Sequence, residues 1–271
     1  MSKRTLAHLA ILGLLALYML PIAWMLSTAL KPDDELFTEQ IRWVPNRVAW
    51  ENYQHALATF PFWLYLRNTL LIAGLTVVGA LLSCLPPAYA FARLRWRGRN
   101  FWFWVMLSTL MLPPQVTLLP VFLLFRQLGW VDTFLPLIVP AFLGNAFLIF
   151  MLRQFFLTLP QELIDAARLD GCSEWMILWR LVAPMSKPAV ATVALFSFVW
   201  AWTDFMNPLI YLNDSSKFTL AVGLQYFLGR HGEQWNLLMA AATVVTAPLV
   251  LLFLLTQRAY VRGITLTGLK G

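Results

Sequence analysis

Six apolar runs of 21 to 30 residues alternate with short polar stretches along the chain: Leu6 to Leu26, Phe62 to Phe91, Phe101 to Phe125, Phe134 to Leu157, Ala189 to Leu212 and Trp235 to Thr256. A helix needs about 20 mostly apolar residues to cross the hydrocarbon of a bilayer. Within that hydrocarbon a segment must satisfy its own backbone polar groups. The pattern therefore predicts an all-α, polytopic membrane protein with six transmembrane helices in a single domain spanning 1–271. Ser27-Thr28-Ala29 after the first run has the small residues of a signal-peptide cleavage site. At 21 residues, however, that run exceeds the ~7–15 of a signal core, which predicts a retained span. Prolines predict breaks: Pro86-Pro87 late in the second span, Pro113-Pro114 and Pro120 in the third.

Between the fourth and fifth runs lies the loop 158–188, the longest polar-interrupted segment in the second half of the chain. Thr158 and Gln161 have capping-box spacing, and Pro160 suits a first helical turn. On the helix that follows, Gln161, Asp165 and Arg168 share one face, with Pro160, Leu163, Ile164 and Ala167 opposite. Gly171 suits the left-handed conformation that ends a helix, and Ser173 suits the cap of a second one. There Trp175, Leu178, Trp179 and Val182 fall at i, i+3, i+4 and i+7, predicting one apolar face, and Pro184 and Pro188 stop the helix before the fifth span. The expectation is two short helices joined at a glycine hinge and lying at the membrane surface. Periodicity alone suits an ordinary interfacial connector equally well.

Composition agrees with the membrane class: 60% of residues are hydrophobic and 12% charged, against about 45–50% and about 25% in soluble domains. Six spans put both termini on one side. That side holds 13 Lys and Arg against 7 on the other, with Arg93, Arg95, Arg97 and Arg99 concentrated in one short loop. The positive-inside rule then predicts cytoplasmic termini and a cytoplasmic 158–188 loop. It also accounts for the net charge of +7 without nucleic acid. Trp24, Trp63, Trp102, Trp130 and Trp235 fall near span ends, where amphipathic rings sit at headgroup level. Cys84 lies in an apolar run and Cys172 in the central loop, so no disulfide framework is expected.

Catalytic and cofactor chemistry is missing from the motifs. There is no G-x-x-x-x-G-K-[ST] to cradle nucleotide phosphates and no G-x-S-x-G. His8, His55 and His231 lie in three separate segments, and no cysteine pair has metal-ligand spacing. No metal, cofactor or enzymatic activity is expected on this chain, and any energised work must draw on another. Asp204 is the clearest ionisable group inside a span. Such groups usually face a cavity or the bundle interior. Trp202, Asp204 and Asn207, with Gln115 and Asn145, are the candidates for a translocation pathway; Trp200 and Trp202 flank the acid, and tryptophan and an acid together suit a sugar. Structural hydrogen bonds between helices are the competing role for Asp204 and Asn207.

The loop carries Asp165-Ala166-Ala167-Arg168-Leu169-Asp170-Gly171-Cys172-Ser173, followed by Pro184 and Pro188. This resembles the cytoplasmic EAA loop, roughly E-A-A-x-x-D-G-A-S then P-x-x-x-P, of the membrane subunits of binding-protein-dependent ABC importers. Asp165 departs from the usual glutamate and Cys172 from the usual alanine. The resemblance extends to Leu30-Lys31-Pro32, Asn52-Tyr53, Ala88-Tyr89-Ala90-Phe91-Ala92-Arg93, Leu112-Pro113, Trp202-Thr203-Asp204-Phe205 with Pro208-Leu209, and the glycine-rich end from Gly263 to Gly271. Together these are similar to the carbohydrate-uptake branch of that family, and to its maltose-transporter permeases in particular. The resemblance implies a heterodimer with a second, related permease subunit and two ATPase subunits that hold ATP and Mg. It also implies an extracytoplasmic solute-binding protein and a bacterial or archaeal inner membrane. It implies an ATPase-coupling role for Asp165, Ala166, Ala167, Asp170, Gly171 and Ser173, and a tail after Arg262 that reaches the ATPases. The alternative function is a self-contained ion-coupled secondary carrier, whose sites sit at broken helices.

Overall fold

The computed structural model describes residues 3–37, 42–228 and 234–267, with the backbone alone described at Lys3 and 258–267. The described residues are helical and contain no strand. Among the described residues four helical segments are long and apolar enough to cross a membrane: Arg4–Ala29, Phe62–Arg93, Leu135–Phe156 and Trp235–Gln257. Two bent pairs have the same composition: Arg99–Met111 with Pro114–Gln127, turned by 96°, and Glu174–Met185 with Lys187–Thr203, turned by 86°. Each pair is a broken span or a re-entrant segment.

Proline acts differently at its several positions. The first bend falls at Leu112 and Pro113, between α4 (Arg99–Ser108) and α5 (Pro114–Gln127), where Pro113 supplies an extended N-cap. Pro120 sits inside α5 without ending it. The expected break at Pro86-Pro87 does not occur, and α3 runs unbroken from Phe62 to Arg93. Its neighbours Cys84, Leu85, Ala88 and Tyr89 are buried, and a packed membrane helix tolerates proline where surrounding structure holds it.

The chain forms two compact units. The first comprises Met1–Trp63 and Leu220–Leu251. It contains α1 (Lys3–Ala29), α2 (Glu51–Thr59), α13 (Leu220–Gly223) and the first part of α14 (Trp235–Thr267). Its organising contact is the segment just after α1. Asn52 donates from Nδ2 to Ala29 O at 2.9 Å and to Lys31 O at 2.8 Å, and Asn236 donates to Asp33 Oδ1 at 2.6 Å. Buried Lys31 stands over the Trp24 ring at 4.2 Å. The Leu30-Lys31-Pro32 and Asn52 motifs thus meet in one polar knot that ends α1. Phe60 packs on Phe227 edge to face at 5.8 Å.

The second unit comprises Leu64–Thr219 and Leu252–Gly271. After α4 and α5 come α6 (Leu135–Ile138), a 3₁₀ turn over Val139–Leu143, and α7 (Ala146–Phe156). The loop helices α8 (Gln161–Leu169), α9 (Glu174–Met176) and α10 (Ala183–Met185) follow, then α11 (Lys187–Thr203) and α12 (Met206–Tyr211). Its core joins a small-residue stripe on α3 (Ala80, Cys84, Ala88, Ala92) to Leu148, Leu152 and Phe156 of α7 and to Ile164, Ile177, Leu178 and Val182 of the loop. Residues four apart share a helix face, and small ones let backbones approach closely. At Gly79 a Cβ would come within 2.6 Å of the Phe142 ring, so that approach depends on glycine. The helix α14 continues through Thr267, beyond the span end expected at residue 256. Arg230, His231 and the last four residues of the tail lie outside the described residues.

Candidate functional site: the 158–188 loop and a cavity

The loop takes its shape from a helix stop and a helix start. At the end of α8, Cys172 N–H donates to Ala167 O and Gly171 N–H to Arg168 O, both at 3.0 Å. Gly171 has φ +79 and Asp170 is the C-cap. This is a Schellman closure, which requires a left-handed residue that glycine supplies without steric cost. Ser173 then caps the next helix, its Oγ accepting from Met176 N–H at 3.3 Å. The expected Thr158 cap is absent. Pro160 holds the N-cap position of α8, and the Thr158 hydroxyl donates instead to Phe155 O at 2.7 Å, closing α7.

The second helix differs from its expected phase. Residues Ile177–Val182 form a π-helix, whose turn is wider than an α-turn. The buried set is therefore Ile177, Leu178 and Val182. Trp175 and Trp179, expected on one apolar face facing the protein or the membrane interface, are 61% and 40% exposed within this chain and stack on each other at 6.3 Å. Leu163 and Leu169 are exposed as well, leaving Ile164 as the buried anchor of α8. Of the motif residues, Asp165, Ala166, Asp170, Gly171 and Ser173 are exposed, while Ala167 packs partly against the core.

A polar network ties this loop to the end of α3. Arg168 bridges Asp165 Oδ1 at 3.0 Å and Glu174 Oε1 at 2.8 Å, linking the two loop helices across the glycine turn. Glu174 also accepts from the Tyr89 hydroxyl, and Gln161 donates to Asp165 at 3.0 Å while accepting from Arg93 Nη1 at 2.7 Å. Arg93 further donates to Phe156 O at 3.0 Å and to Leu159 O, a cation on the carbonyls at the C-terminus of α7. Tyr89 and Arg93, one turn apart on α3, thus grip the loop at two points. Neither role was visible in sequence, since their partners lie 63 to 85 positions away. The aspartate at 165 reaches its arginine despite its shorter side chain.

A second feature is a cavity of about 380 Å³ inside the second unit. Asn145, Asp204 and Asn207 all line it, together with Ser197, Trp200 and Tyr211. The backbone at Asp204 is extended, which breaks α11 from α12. Its carboxylate accepts from Asn207 N–H at 3.1 Å and from Asn207 Nδ2 at 2.8 Å, closing the first turn of α12. Asn145 caps α7 by accepting from Leu148 N–H at 3.1 Å. The other two candidates stand elsewhere. Trp202 is 2% exposed and stacked on Phe198, off the cavity wall, and Gln115 is exposed on the first turn of α5. Trp200, two residues before Trp202 and therefore on another face of the helix, supplies the aromatic surface.

A third cluster joins the loop after α5 to the loop after α12. Asp132 has φ +62, which its short polar side chain tolerates better than a branched one. Its Oδ1 accepts from Asn213 and Asp214 N–H, each at 3.0 Å, and Lys217 Nζ meets its Oδ2 at 2.7 Å. The Lys217 hydrogen bond, followed by those two amides, pulls the Asp132 carboxyl down to about 2. The same pairing raises Lys217.

Residues 77–266 match the family described as binding-protein-dependent transport system inner membrane component. The chain is 32% identical over 254 residues, 93% of its length and 91% of the relative's, to the arabinooligosaccharides transport system permease protein AraQ of Halalkalibacterium halodurans. It is likewise 32% identical over 259 residues, 93% and 91% of the two lengths, to the sn-glycerol-3-phosphate transport system permease protein UgpE of Yersinia pestis bv. Antiqua. Its fold is that of a solved bacterial ABC transporter chain involved in importing the acidic polysaccharide alginate. That comparison has a TM-score of 0.84 and 24% identity over 95% of this chain and 98% of the other.

Proposed function

Since the chain belongs to the family of binding-protein-dependent transport system inner membrane components, we propose that the 158–188 loop is where it receives the energy for import. The protein is a multi-pass membrane permease subunit of a sugar-class ABC importer, and its family is a transport family rather than a catalytic one. In our reading it crosses a bacterial or archaeal inner membrane six times, with both termini and the loop in the cytoplasm. It pairs there with a second permease subunit and two ATPase subunits that bind ATP and Mg, and a solute-binding protein delivers the solute from outside. The most apolar stretch of α1 has no buried residue within this chain, and in our reading it faces lipid and the partner permease. The family relationship favours this over a self-contained ion-coupled carrier.

One observation carries the coupling role: the loop is gripped by Tyr89 and Arg93 at the end of the helix that also lines the cavity. Ile72, Thr76 and Ala80 of α3 line that cavity, and Ala88, Tyr89 and Arg93 hold the loop. A displacement of α8 is transmitted through short, charge-assisted hydrogen bonds and a packed core, neither of which stretches cheaply. Asp165, Ala166, Ala167, Asp170, Gly171 and Ser173 form the docking side of this lever. Asn145, Asp204 and Asn207 stand at its other end.

Affinity purification of a tagged chain from gently solubilised membranes tests the assembly. An ATPase and a second permease chain should co-purify, and the isolated chain should neither hydrolyse ATP nor transport. Transport by the isolated chain in proteoliposomes would instead establish the carrier.

A further inference from the structure

We propose that the cavity between α3, α7, α11 and α12 binds one uncharged sugar ring of the transported solute, with Trp200 and Ser197 as contacts; this rests on the permease function above and assigns its substrate class. Among the residues lining the cavity, Asp204 is the one charged group, and none is Lys, Arg or His. A phosphate or carboxylate on the solute would meet a like charge without a compensating cation, at a depth where unpaired charge is costly.

The polar groups suit hydroxyls, which both donate and accept. Two of the roughly four acceptor positions on the Asp204 carboxylate are used by Asn207, leaving the others open. The Asn207 amide spends its nitrogen on Asp204 and keeps its oxygen; Asn145 spends its oxygen on the α7 cap and keeps its nitrogen. Ser197 is 2% exposed, and its Oγ has no hydrogen-bond partner. Buried hydroxyls in native structures are paired in the large majority of cases, so this one marks a place where a ligand hydroxyl completes the wall. Trp200, held by stacking on Phe196 at 5.7 Å, lends the aromatic face on which the apolar side of a sugar ring packs. The volume, about 380 Å³, lies within the ~300–1,000 Å³ of small-molecule sites and accommodates a single sugar ring.

The test uses the complete complex in proteoliposomes with its solute-binding protein, reading solute-stimulated ATP hydrolysis and uptake. One arm receives a mixture of neutral mono- and oligosaccharides, the other a mixture of sugar phosphates and uronates. The neutral arm alone should stimulate, and Ser197→Val and Trp200→Ala, each assembled at wild-type yield, should lower stimulation about tenfold. Stimulation by the anionic arm, or by neither arm, overturns the assignment. Stimulation and uptake unchanged in both variants remove the cavity from the pathway. If an ATPase and a second permease chain co-purify with this chain while either of these results appears, the permease reading stands and this inference alone fails.

Discussion

Asp132 shows how far one charge organises a loop. Its folded value of about 2 lies below the ~3.9 of an unperturbed aspartate. The sign follows from linkage: a depressed carboxyl contributes stability that is present above about pH 4 and lost as pH falls through about 2. Lys217, raised in the fold, contributes below its unfolded value of ~10.4 and loses that contribution as pH rises through its higher folded value. The protection of the 213–217 amides, relative to their intrinsic exchange at the same pH, should therefore be high at neutral pH and fall below about pH 3. Asp132→Asn, which keeps the left-handed backbone accessible, should show the fast exchange already at pH 7; protection equal to wild type would remove the clamp. Single residues were legible in the sequence to different degrees. Gly171 and Ser173 could be read because their conformations are local. The choice between Trp200 and Trp202 could not, because two positions along a helix differ by a rotation that only tertiary packing sets.

Elements were legible where a single period governed them. The α8 helix follows its 3.6-residue pattern, with Ile164 buried and the Gln161, Asp165, Arg168 face polar. The following helix departs from it: a π-turn occupies Ile177–Val182, Ile177, Leu178 and Val182 are buried while Trp175 and Trp179 are exposed, and no composition signal announces the π-turn. The Pro86-Pro87 pair misled for the converse reason: local cost argues for a break, and burial of its neighbours overrides it. Two substitutions test the loop as an element. Ser173→Ala removes the cap at Met176 and should destabilise the second helix by about 0.5–2 kcal/mol, measured as faster amide exchange over 174–177. Arg168→Met removes the bridge between Asp165 and Glu174. It should lower solute moved per ATP about tenfold, within the ~5–150-fold range of a coupling free energy. Intact stoichiometry in that variant would place the lever elsewhere.

Across the complete chain, hydropathy carried the class and the family motif carried the function. The path between loop and cavity belongs to long-range pairs such as Arg93 with Gln161, which no window of sequence contains. In the proposed cycle, nucleotide-driven movement enters at the 158–188 loop and reaches α3 through the bonds of Arg93 and Tyr89, whose partners Gln161 and Glu174 the Schellman hinge holds in fixed relation. Gly171→Pro attacks that hinge directly. Proline holds φ near −65° and lacks the N–H that Gly171 gives to Arg168 O, whereas the hinge needs φ +79. The decisive quantity is the ratio of solute transported to ATP hydrolysed by the complete complex in proteoliposomes. Gly171→Pro should assemble and hydrolyse ATP while transport per ATP falls to near zero. A wild-type ratio in the assembled variant would contradict coupling through this loop.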